Sequence, residues 1–105
     1  MAIGVVREGN PDGSIDLVIN IATTQFFNKF WERAIKETEA KIFKENGQFR
    51  KDQLNEVLQE LELIKNWAEV NLSGTDLEYM KGRAEELINT IPTAFDKENT
   101  VLYIY

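Results

Sequence analysis

A chain of 105 residues and 12.1 kDa fits a single domain, 1–105, because chains divide only well beyond ~250 residues. It has no histidine and no cysteine, which excludes zinc fingers, thiol nucleophiles, disulfide frameworks and every histidine-dependent triad. The net charge of −6 argues against nucleic acid and anionic membrane as partners, since both demand a Lys/Arg footprint.

The chain opens on Met1-Ala2-Ile3-Gly4, without the basic and long apolar regions of a signal peptide. No later apolar run approaches the ~18 residues of a membrane span, so a cytoplasmic protein is expected. Ile3, Val5 and Val6 form a short apolar run, and Ile15, Leu17, Ile19 and Ile21 alternate with Asp16, Val18 and Asn20. That period of two marks a half-buried strand. Between the two runs, Asn10-Pro11-Asp12-Gly13 predicts a type I turn with Gly13 left-handed after it. Strands over 2–8 and 14–22 make a hairpin. Asn10, Asp12, Ser14 and Asp16 are spaced like the start of a calcium loop, but the bidentate glutamate is missing and Pro11 stands second. No metal site is expected there.

Thr23 and Thr24 offer N-caps for a first helix, predicted over 24–45. Phe26, Phe27, Phe30, Trp31, Ala34, Ile35, Thr38 and Ile42 share one broad face, a density that points to core. Asn46-Gly47 is read as its stop signal. The second helix, over 52–71, lines Leu54, Val57, Leu58, Leu61, Ile64 and Ala68 along one face. Leu63, Trp67 and Val70 project roughly 145° away, with Glu56 among them. Either this helix is sandwiched between other elements, or Leu63 and Trp67 form an exposed anchor in an acidic surface. Ser73-Gly74 breaks the chain, and Thr75-Asp76-Leu77-Glu78 is read as a capping box for a third helix over 76–91, ended by Pro92. The closing run Val101-Leu102-Tyr103-Ile104-Tyr105 predicts a strand over 100–105, placed inside the sheet because it is continuously apolar. The expected class is α+β: an N-terminal hairpin, three helices, and a C-terminal strand completing a small antiparallel or mixed sheet.

Chemistry is scarce. Glu85 and Glu86 are adjacent on a helix and point about 100° apart, poorly placed to share a proton or an ion. The six glycines are scattered singly and form no phosphate cradle. No enzyme and no cofactor are expected. Charge is uneven, however. Residues 1–51 hold seven acids and eight bases, a net of +1, whereas 52–105 hold eleven acids and four bases, a net of −7. Either this is a solubility feature or it is a field that steers a basic partner.

The MAIGVV strand, the Thr-capped cluster TTQFFNKFW, the helix LNEVLQELELIKNW and the closing VLYIY resemble, in their order, the small immunity proteins of bacterial polymorphic toxin systems. The resemblance implies a cytoplasmic protein that neutralises one toxin by stoichiometric binding. The alternative is an adaptor or subunit-type interaction module of a larger assembly, with no toxin involved. Independently of the resemblance, Glu56, Glu60, Leu63 and Trp67 are expected to meet a protein partner; the resemblance implies that this partner is a basic toxin domain.

Overall fold

The computed structural model describes residues 2–105, Met1 lying outside them. Strands β1 (Ala2–Arg7) and β2 (Leu17–Thr23) pair antiparallel, Val5 opposite Ile19 and Arg7 opposite Leu17, with an irregularity between Ile3 and Gly4. The connecting turn is as its residues dictate. The Gly13 N–H donates to the Asn10 carbonyl at 2.9 Å, Gly13 has φ +83°, and the Asp12 carboxylate accepts from the Ser14 backbone and hydroxyl.

Thr23 caps helix α1, residues 24–37, accepting from the Phe26 N–H at 3.2 Å. Its middle, Phe27–Trp31, is a π-helical turn in which the Glu32 N–H reaches back to the Phe27 carbonyl. The wider turn brings positions four apart onto one side, and the Phe27 and Trp31 rings stack 6.2 Å apart and 2° from parallel. Phe27, Phe30 and Trp31 are all buried. The helix stops at Glu37, not near residue 45: the Thr38 hydroxyl bonds back to the Ala34 carbonyl, and Glu39 takes φ +60°. Phe43 reaches the core from the following loop, so its apolar character mimics one more helical turn. Asn46, at φ +65°, turns the chain into a strand instead of ending a helix.

That strand, β3 (Gln48–Arg50), is a fourth one beyond the three expected. A short turn, Lys51–Gln53, leads into α2 (Leu54–Asn71), and a two-residue link joins it to α3 (Gly74–Ala94). The anticipated capping box does not form, because α3 already begins at Gly74, with φ +59°, and Thr75 lies inside it. Pro92 does not end the helix either. The last turn continues to Ala94, which is buried, and Phe95 beyond it packs 5.9 Å from Phe49.

Strand β4 (Val101–Ile104) completes a wholly antiparallel sheet of order β2-β1-β4-β3. The closing strand is therefore internal, as its unbroken apolar run requires. Ile3, Val5, Ile19, Ile21, Phe49, Leu102 and Ile104 join the helices' apolar rows in one core. The fold is α+β, and none of its helices is long and apolar enough to cross a membrane.

Candidate functional site

Helix α2 has three kinds of surface. Val57, Leu61, Ile64 and Ala68 are fully buried and form its core row. On the flank toward α1, Trp67 is only 7% exposed. Its Nε1–H donates to Glu37 Oε1 at 3.0 Å, and the Arg33 guanidinium lies 5.3 Å from the ring centroid. Trp67 is thus packing between α1 and α2, not a free anchor, because the end of α1 covers the side of α2 that a helical projection leaves open.

Glu60 occupies the same flank. Its carboxylate accepts the N–H groups of Lys41 at 2.9 Å, Ile42 at 3.2 Å and Phe43 at 2.8 Å. Three successive amides converging on one anion make a backbone nest, and here the anion comes from the chain itself. Glu60 holds the loop after α1 and has no oxygen free of that task.

The third surface faces away from the core. Leu63 is 52% exposed and Val70 84% exposed, with Glu56, Gln59, Glu62, Asn66 and Glu69 exposed around them. Leu58 and Ile88 are half-buried and floor a shallow groove between α2 and α3 that Leu63, Gln59 and Glu62 also line. Glu85 of α3 stands farther along the same groove, beside Glu62, Lys65 and Ile88. Of these carboxylates Glu62 lies 4.0 Å from Lys65 and Glu69 lies 3.5 Å from Lys81, while Glu56 and Glu85 make no ion pair among the described residues. The structure therefore keeps Glu56 and Leu63 on one open face and turns Glu60 and Trp67 inward beside it. Val70, Glu62 and Glu69 share that open face. Val70 stood in the sequence as part of the second apolar stripe, but the carboxylate flank becomes visible only once the core side of the helix is fixed.

A second polar depression lies at one end of the sheet, around Arg7. The guanidinium makes two hydrogen bonds to Asp16, at 2.9 and 3.0 Å, one to the Ala94 carbonyl at 2.8 Å, and approaches Asp96 at 3.4 Å. Its hydrogen bonds to Asp16 raise the Arg7 pKa, partly offset by burial, and the same bonds lower that of Asp16. Three of the guanidinium's five N–H donors are taken by its own chain and two carboxylates flank it, which disfavours an added anion. Among the described residues, no three metal-ligating side chains gather to hold a metal ion.

Comparison with known proteins adds no relative. No family model, no curated protein and no solved structure matches the chain.

Proposed function

We propose that this chain is a non-catalytic binding protein: a cytoplasmic immunity protein that neutralises a cognate bacterial toxin by stoichiometric binding, with the outer face of α2 as its contact surface. One observation carries the reading. Two large aliphatic side chains, Leu63 and Val70, stand open to solvent on a face bordered by carboxylates, two of which, Glu56 and Glu85, have no cation beside them among the described residues. Leaving apolar area exposed forgoes about 25 cal/mol per Å² of burial, a loss that contact with a partner recovers. Surrounding carboxylates attract a basic surface, speed its encounter and repel acidic competitors. A toxin that acts on nucleic acid has a basic cleft for its substrate, and occupying that cleft with an acidic surface blocks it without chemistry.

The test is co-expression with the product of the gene directly upstream. A 1:1 complex on size exclusion, with relief of growth arrest by this chain alone, is the expected result. A chain that instead purifies with a larger assembly and relieves no arrest is the adaptor module, and the toxin reading is then wrong.

A further inference from the structure

The outer face of α2 has a spacing as well as a chemistry. At about 100° per residue, Gln59, Leu63, Asn66 and Val70 fall on one stripe, opposite the buried row of Val57, Leu61, Ile64 and Ala68. Their separations are four, three and four residues, the alternation by which one helix packs along another at about 20°. From Glu56 to Val70 the face runs about 21 Å, at a rise of about 1.5 Å per residue. Glu56 borders the stripe on the α1 side, and Glu62 and Glu69 border it on the α3 side. The pairs Glu62–Lys65 and Glu69–Lys81 are long, at 4.0 and 3.5 Å, and the carboxylates are about half exposed, so a partner's cations can replace the lysines at little loss.

We infer that the occupant of this face is a basic amphipathic α-helix of the partner, about four turns long. It lays aliphatic side chains at heptad spacing on Leu63 and Val70 and sets Lys or Arg against Glu56, Glu62 and Glu69. The inference rests on the reading of this face as the contact surface. A second copy of the chain is a poor occupant, because two such faces bring their carboxylates together. An extended strand is poorer still, because a helix face offers no backbone ladder to pair with. Gln59 and Asn66, at the alternate positions of the stripe, need polar partners once covered, and that fixes the register of the incoming helix.

The experiment uses the full chain, labelled with 15N, and a synthetic 18-residue helical peptide with Leu at one seam position of each heptad, Gln at the other, and Lys at e and g. Its control is the same peptide with Glu in place of Lys. Titration of the Lys peptide is expected to give saturable shifts confined to residues 56–70 and to Glu85 and Ile88 across the groove. The Glu peptide should give none. Leu63→Gln with Val70→Gln, which keeps charge and helix propensity, should weaken the Lys peptide at least tenfold while leaving the rest of the spectrum unchanged. Glu62→Lys with Glu69→Lys should weaken it further at low salt than at high salt. Shifts spread over the whole acidic surface, equal binding of both peptides, or a change under twofold in the double Gln variant would overturn the assignment. So would dimerisation of the chain through this face in sedimentation. The two readings separate cleanly. If the upstream toxin forms its 1:1 complex and the double Gln variant binds it within twofold of the parent, the helix assignment fails and neutralisation stands. If the peptide maps to the stripe and no toxin binds, the surface stands and the immunity reading fails.

Discussion

The Glu60 carboxylate shows how one side chain can order a loop that has no regular structure. Residues Lys41, Ile42 and Phe43 present their N–H groups in sequence, and both oxygens of Glu60 accept them. With those acceptors removed, the part-buried donors at Ile42 and Phe43 lose their partner, and such donors cost about 1–3 kcal/mol each when left unmade. Glu60→Ala is expected to lose about 2 kcal/mol in urea unfolding, with Phe43 loosened from the core; a loss under about 0.5 kcal/mol would mean that water replaces the carboxylate freely. Trp31 is the opposite kind of residue, held by packing alone. It is fully buried, stacked on Phe27 and 6.1 Å from Phe43, and its Nε1 has no hydrogen-bond partner. Trp31→Ala should cost about 3–5 kcal/mol, a large part of a small domain's ~5–15 kcal/mol, and a denaturant melt that shifts by less than about 1 kcal/mol would contradict this packing. Its burial was legible in the sequence, because Phe27, Ala34 and Thr38 share its helical face. The roles of Glu60 and Trp67 were not. Each depends on what returns to α2 from α1 and its loop, 17–30 residues earlier, and a helical projection records only neighbours on the same helix.

Elements divide in the same way between those with a period and those without. The hairpin, α2, α3 and the closing strand each repeat an apolar pattern over enough residues to be read directly. Strand β3 has three residues, Gln48, Phe49 and Arg50, and only Phe49 is buried, so it offers no alternation to detect. Helix α1 was overextended for a related reason: Ile42 and Phe43 continue the helical spacing, yet they fill the core from a loop pinned by Glu60. The end of α3 errs in the other direction. Pro92 removes one helical N–H, but in the last turn that loss is offset by the burial of Ala94 and Phe95. Strand β4 matters most for cooperativity because it lies between β1 and β3 and supplies fully buried Leu102 and Ile104. Removing residues 101–105 leaves the β2-β1 hairpin with an open edge and β3 without any strand to pair with. The truncated chain is expected to lose its cooperative melt in circular dichroism; a midpoint within a few degrees of the full chain would show that β4 is dispensable.

Across the whole molecule, the acidic helical face and the Arg7 clasp lie in different places. Arg7 ends β1 and ties three parts of the chain together: Asp16 in the hairpin loop, the Ala94 carbonyl at the end of α3, and Asp96 just after it. Asp16 also accepts the Gly9 N–H at 3.1 Å. The hydrogen bonds from Arg7 hold the Asp16 carboxyl below its ordinary range, against the opposing effect of desolvation. A carboxylate whose pKa is lower folded than unfolded adds stability that is complete above the unfolded value, ~3.9, and disappears as pH falls through the folded one. The clasp therefore stabilises the protein at neutral pH and fails on acidification. The Asp16 side chain is 25% exposed, so solvent and salt screen the pair and the effect is modest. In Asp16→Asn the titrating group is gone, while the shape and one acceptor oxygen remain. Unfolding midpoints of the two proteins should differ at pH 7, approach each other as pH drops from about 5, and meet once pH has fallen through the lowered folded pKa, where Asp16 is protonated in both states. The gap at pH 7 should also narrow in 1 M salt, where the screening length is about 3 Å. Curves that run parallel from pH 7 to pH 2 would mean that Asp16 acts through its hydrogen-bonding shape and not through its charge.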